Sequence, residues 1–260
     1  MKTVILCGGL GSRLRQETEF RPKPTIEIGG RPILWHIMKL YAVCGYNEFV
    51  LALGYKGEVI RDYFLNYPAM TQDVTVRLGA EPGVTLHGAA AESWSVTMAN
   101  TGQTALTGAR IKRLERYVTG DRFMVTYGDG VADIDLRHLV EFHRSHGRLA
   151  TVTGVRPPAR FGELVTRGSR VDEFSEKPTI GSGGYINAGF FVFENEVFDY
   201  LSESDDCVLE GEPLRRLARD GQLEMYTHDG YWHCMDTPRD LEALQDAWLD
   251  GAPWKVWGDD

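Results

Sequence analysis

Apolar and polar residues along this chain switch between two periods, that of a buried strand and that of a helix. Thr3 to Leu6 is a short, apolar, β-prone run, the pattern of a strand buried on both faces. It stops at a glycine turn, Gly8-Gly9-Leu10-Gly11. Beyond Pro32, which suits a first helical turn, Ile33, Ile37, Leu40, Tyr41 and Cys44 recur at helical spacing, and Gly45 is placed to end that helix. Glu48 to Leu53 predicts a second strand and Glu58 to Phe64 a helix. Residues 67–108 change character: they are rich in Thr, Ser, Gly and Ala, and pieces such as Val74 to Leu78 alternate, which predicts an insertion of strands and loops. Helical spacing returns around Ile111 to Val118. Phe123 to Tyr127 reads as a strand ending at Gly128-Asp129-Gly130, Leu136 to Phe142 as a helix, and Leu149 to Val155 and Phe190 to Phe193 as strands. Glu196 to Leu201, Glu212 to Arg219 and Asp240 to Leu249 complete the helices.

Strands alternating with helices predict an α/β fold, a mixed but mainly parallel sheet with helices on both faces. Residues 1–260 are expected to form one domain carrying the β-rich insertion at about 67–108. Such sheets bind ligands outside the carboxyl ends of their strands, so residues directly after strands carry most of the information.

Composition narrows the classes. No apolar run approaches the ~18–20 residues of a membrane helix, so no membrane partner is expected. The apolar opening is broken at once by Gly8-Gly9, and Arg13 and Arg15 follow, which argues against a signal peptide. The four cysteines are widely spaced and form no Cys-x-x-Cys pair, so neither a disulfide framework nor a zinc site is indicated, and a cytoplasmic setting is expected. Net charge is −9, unevenly distributed: residues 1–40 hold seven Lys/Arg against three Glu, and residues 194–260 hold five Lys/Arg against eighteen Asp/Glu. A broadly acidic chain binds nucleic acid poorly. Its basic start suits a small polyanion, although ordinary solvated surface explains the asymmetry equally well.

Five short segments carry candidate chemistry. Gly8, Gly9 and Gly11, followed by Ser12 and Arg13, let backbone N–H groups approach a phosphate after the first strand; alone, a tight turn explains them too. The P-loop pattern is absent, and a dinucleotide fingerprint starting at Gly9 and Gly11 would need its third glycine at Leu14. Lys23 stands between Pro22 and Pro24, a stiff mount that can aim a cation at developing phosphate charge. Asp129, between two glycines after a strand, is suited to Mg²⁺, or is simply part of a turn. Asp236 precedes the last helix as either a second Mg²⁺ ligand or the N-cap. Glu176-Lys177-Pro178 and Asn187-Ala188-Gly189 offer groups for sugar hydroxyls and a monoester phosphate.

Taken in order, these segments resemble the sugar-1-phosphate nucleotidyltransferase family, and its cytidylyl branch most closely. Ile33 to Lys39, Gly54-Tyr55-Lys56-Gly57, Asn100-Thr101-Gly102, Tyr127 to Asp133, Arg160-Phe161-Gly162 and Trp254-Lys255 extend the likeness over nearly the whole chain. The resemblance implies a Rossmann-like sheet of the nucleotide-diphospho-sugar transferase type. It also implies transfer of a cytidylyl group from CTP to α-D-glucose 1-phosphate, giving CDP-glucose and pyrophosphate, Mg²⁺ as cofactor, and a homo-oligomer. It assigns Leu6, Gly8, Gly9, Gly11, Ser12, Arg13, Lys23, Arg110, Gly128 and Asp129 to the nucleotide, with Arg13 and Lys23 catalytic. Asp129 and Asp236 fall to the metal, and Glu176, Lys177 and Asn187 to the sugar phosphate. The chain departs from the family at Ser12 (commonly Thr), at Cys7 (usually Ala), over Arg77 to Ala91, and at Ala188, where the cytidylyl branch is expected to have Gly. A thymidylyl- or uridylyltransferase, a non-catalytic sugar-nucleotide-binding regulator and a nicotinamide-dependent oxidoreductase remain as alternatives, Leu14 counting against the last.

Overall fold

A computed structural model describes residues 1–156, 163–167, 170–175 and 184–258. Seven strands form the central sheet: β1 (Thr3–Cys7), β2 (Glu48–Leu53), β3 (Ser95–Asn100), β4 (Arg122–Tyr127), β5 (Ala150–Val155), β6 (Ile186–Glu194) and β7 (Leu223–His228). Their spatial order is β7-β5-β6-β4-β1-β2-β3. β1 pairs in parallel with β2 and β4, β2 with β3, and β5 with β7. β6 alone runs against its neighbours β4 and β5.

The helices α1 (Ile33–Val43), α2 (Gly57–Thr71), α3 (Thr107–Lys112), α4 (Leu136–His146), α5 (Glu212–Arg219) and α6 (Pro238–Leu249) cover the sheet. Because successive strand residues face opposite ways, β1 feeds two separate cores. Ile5 and Cys7 pack with Ile37 of α1, Leu139 of α4 and Leu244 of α6, while Val4 and Leu6 pack with Ile111 of α3 and Leu217 of α5. The expected α/β sheet with helices on both faces is therefore present.

Local boundaries differ from the sequence reading in instructive ways. Residues 67–108 are not one insertion: α2 continues to Thr71, a hairpin pairs Asp73–Arg77 with Gly83–His87, Ser95–Asn100 is the edge strand of the main sheet, and α3 begins at Thr107. The edge strand β3 is buried mainly at Ala99, which leaves it with the mixed composition of a surface. Helical spacing from Ile111 to Val118 resolves into the end of α3 and a 3-10 turn, Glu115–Tyr117, and Asn195–Tyr200 is likewise 3-10. β7 was not predicted, since Leu223–His228 is half exposed and carries no apolar run.

The carboxy-terminal segment docks on α1 through a buried histidine. His36 is fully buried, with Trp248, Trp254 and Trp257 around its ring. Its Nε2–H donates to the Ile28 carbonyl at 2.9 Å, and its Nδ1 accepts from Trp254 Nε1 at 3.4 Å, a pairing only neutral imidazole can make. Burial pushes its pKa down to about 4. Between pH 6.5 and 4 the unfolded chain takes up a proton that the folded chain refuses, so folding stability falls as the pH drops through that window, by about 3 kcal/mol from this group. Urea unfolding at pH 7, 5.5 and 4 should show that loss, and His36→Phe should show a shallower dependence over the same range. An unchanged slope in the variant would remove His36 from the effect.

Candidate active site

The carboxyl ends of β1 and β4 and the start of β6 open onto one cleft of about 960 Å³. Because β6 is antiparallel, its first residues, Ile186 and Asn187, lie at the same edge as Leu6 and Tyr127. Leu6, Gly8, Gly9, Gly11, Ser12, Arg13, Lys23, Arg110, Gly128, Asp129, Asn187 and Asp236 all line the cleft. Glu176 and Lys177 lie outside the described residues.

The two aspartates meet although 107 positions apart in sequence, because a short antiparallel bridge joins their segments. Gly130–Ala132 pairs with Trp232–Cys234, and Met235 N–H donates to the Asp129 carbonyl at 2.8 Å. Asp236 is not a helix cap. Thr237 caps α6 and Asp240 completes the capping box, which leaves the Asp236 carboxylate free to face the cleft. Of the other aspartates after β4, Asp135 caps α4, whereas Asp133 pairs with His228 at 2.9 Å.

Lys23 closes the group. Its ammonium donates to Asp129 Oδ2 at 2.6 Å and to Asp236 Oδ1 at 2.7 Å, with only 12% of the side chain exposed. Burial works against the lysine charge, but the two carboxylates outweigh it and hold the pKa above the ordinary lysine value. Burial also opposes the Asp236 carboxylate, and Lys23 and Arg13 outweigh it in turn, holding its pKa below the usual range. Arg13, largely exposed, reaches the outer oxygen of Asp236 at 2.9 Å. The segment carrying Lys23 is fastened to α6 by Gln245, which donates to the Glu27 carbonyl at 2.7 Å and accepts from Gly29 N–H at 3.3 Å.

Arg110 lines the same cleft and also braces its glycine loop. It is buried, and its guanidinium donates to the carbonyls of Gly8 (3.0 Å), Gly102 (2.7 Å), Leu53 and Gln103 and to the Thr101 hydroxyl (2.8 Å). Its two terminal nitrogens thus tie the glycine loop to the ends of β2 and β3. Gly8 is glycine for the same reason: a Cβ there would lie 2.2 Å from the guanidinium carbon. A Cβ on Gly9 meets nothing within 4 Å, so the protein itself does not demand glycine at that position. Cys7, beneath the loop, is fully buried, and burial pushes its thiol pKa up, which fits packing rather than chemistry.

Several cleft residues escaped the sequence reading. Thr107 and Leu106 begin a helix that was expected later in the chain, and Tyr127 reads as an ordinary strand residue. Trp232, which no local pattern marks, lines the cleft and donates its indole N–H to the Ala188 carbonyl at 2.8 Å. Two substitutions separate the roles of the loop glycines. Arg110→Met leaves several buried carbonyls without donors and should lower stability by about 3 kcal/mol in urea unfolding. Gly9→Ala should unfold within about 0.5 kcal/mol of the unsubstituted protein. Equal losses in the two variants would contradict this division.

Residues 2–251 match the family model described as Nucleotidyl transferase. A glucose-1-phosphate cytidylyltransferase of Salmonella typhimurium is 49% identical, over 99% of this chain and all of that protein. A probable glucose-1-phosphate cytidylyltransferase of Bacillus subtilis is 45% identical over the same shares. Among solved structures, a putative glucose-1-phosphate thymidylyltransferase from Bacillus anthracis superposes with a TM-score of 0.71 at 21% identity, covering 100% of this chain and 98% of that one. At that identity the likeness speaks for the fold alone. The matched length and the identity leave no ambiguity about kinship: the chain belongs to the nucleotidyl transferase family.

Proposed function

We propose that this chain transfers the cytidylyl group of CTP to α-D-glucose 1-phosphate, releasing pyrophosphate and CDP-glucose. The observation that carries base and sugar is the 49% identity, end to end, to a protein named for that activity. The geometry supplies a physical route. A phosphate oxygen of the sugar phosphate attacks the α-phosphorus in line, so the protein needs no covalent nucleophile, only positioning and charge stabilisation. Gly9, with open space before it, lets the loop backbone approach the nucleotide. Lys23, on a short 3-10 turn, steadies the α-phosphate as its charge builds, and exposed Arg13 holds the departing β- and γ-phosphates. Asn187, at the sugar side of the cleft, meets a sugar hydroxyl, with Glu176 and Lys177 serving the sugar phosphate.

Asp129 and Asp236 fit Mg²⁺. They are hard oxygen donors that already share one cationic partner, and Mg²⁺ typically takes one or two carboxylates and completes its shell with phosphate oxygens and water. When bound, that ion supplies neutralisation of phosphate charge. The reading places the reaction in the cytoplasm, which suits four free thiols, and in a homo-oligomer. The hairpin Asp73–His87, with Val76, Leu78 and Val84 more than half exposed, suits a subunit contact.

Pyrophosphate release measured with CTP, dTTP, UTP and ATP against several sugar 1-phosphates tests the reading. Turnover is expected with CTP and glucose 1-phosphate; turnover with dTTP but not CTP would end the cytidylyl assignment. Lys23→Ala should lower kcat by roughly 10²–10³ with the fold intact by circular dichroism, the usual scale for removing a group that stabilises transition-state charge. Losses from Asp129→Ala and Asp236→Ala should combine far from additively, because both serve one ion. A strictly additive double variant would speak against a shared metal.

A further inference from the structure

Behind the sugar side of the cleft runs a chain of hydrogen bonds whose direction is set at one end. Glu210 sits in the loop before α5, outside the cleft lining. One of its carboxylate oxygens accepts from the Tyr127 hydroxyl, and the other accepts from the Thr107 hydroxyl at 2.7 Å. Thr107 in turn accepts from Leu209 N–H at 2.9 Å. A carboxylate only accepts, so the single proton of Tyr127 is committed to Glu210. The phenol oxygen is then left as an acceptor, and Asn187 Nδ2 donates to it at 3.0 Å. The other end of the same amide is also committed, since Asn187 Oδ1 accepts from Gly189 N–H at 2.8 Å.

The amide of Asn187 therefore has one orientation, with its second Nδ2–H uncommitted among the described residues. We infer that Glu210 is a positioning residue for sugar recognition: acting through Tyr127, it fixes Asn187 as a hydrogen-bond donor toward a hydroxyl oxygen of the hexose 1-phosphate. Without the carboxylate, the phenol is free to turn its proton toward Asn187 Nδ2, which opposes the donor there and leaves Gly189 N–H alone to hold the amide's orientation. The inference rests on the nucleotidyltransferase reading above. It adds a residue that touches neither substrate and assigns its effect to one of the two.

Steady-state pyrophosphate release tests it, with CTP and glucose 1-phosphate varied separately and thermal unfolding recorded alongside. Glu210→Ala should raise the KM for glucose 1-phosphate by up to about tenfold, the upper scale of one neutral hydrogen bond, while the KM for CTP stays within about twofold. Glu210→Gln keeps an acceptor for the phenol and should recover most of that loss. Tyr127→Phe breaks the same link without touching the loop, should raise the same KM, and should leave little further effect for Glu210→Ala to add. If both KM values rise together with a lowered Tm, or neither moves, Glu210 is at most a strut and the inference is wrong. If the unsubstituted protein releases no pyrophosphate from any triphosphate and sugar 1-phosphate pair, the functional reading fails first and takes the inference with it. Normal turnover with an unmoved sugar KM in the variants refutes the inference alone.

Discussion

One ammonium group between two carboxylates organises this molecule. Lys23 is held at 2.6 Å and 2.7 Å from Asp129 and Asp236, and each partner makes the other's charge tolerable in a partly buried setting. Any of the three alone would face a desolvation cost with little return. Together they bind the segment after the glycine loop, the turn after β4 and the entry to α6 into one unit. Arg13 extends the group to the loop itself.

That unit depends on features that carry no charge. The three-residue bridge between Gly130–Ala132 and Trp232–Cys234 brings the aspartates to one place. Thr237 and Asp240 take over helix capping, which frees Asp236 for the cleft. Gln245 holds the backbone beyond Lys23 against α6, and Arg110 does the same for the glycine loop against β2 and β3. The reactive groups lie at the surface of the cleft, and the groups that aim them lie behind it.

Much of this was legible in the sequence because it depends on period and position. Buried strands announce themselves by unbroken apolar runs, and β1, β2 and β4 all do so. Gly8, Lys23 and Asp129 stand out because each follows a strand or sits between residues that stiffen the backbone. What was illegible depends on pairing. β7 has one half-exposed face and no apolar signature, so only its partner β5 identifies it. Asp236 was ambiguous because capping and ligation ask for the same residue type, and only Thr237 next to it, acting as the cap, decides. Arg110 also donates to carbonyls from distant segments, a bracing role that no local pattern reveals. Tyr127 and Glu210, 83 positions apart, have no common sequence signal at all.

The reversed direction of β6 has a bearing on how such a protein diversifies. β5 ends and β6 begins at the same rim of the sheet, beside the cleft. The glycine loop, Lys23 and Asp129 follow other strands, β1 and β4. Changes in the sequence between β5 and β6 can therefore alter one flank of the cleft while the cluster of Lys23 and its two aspartates is inherited intact.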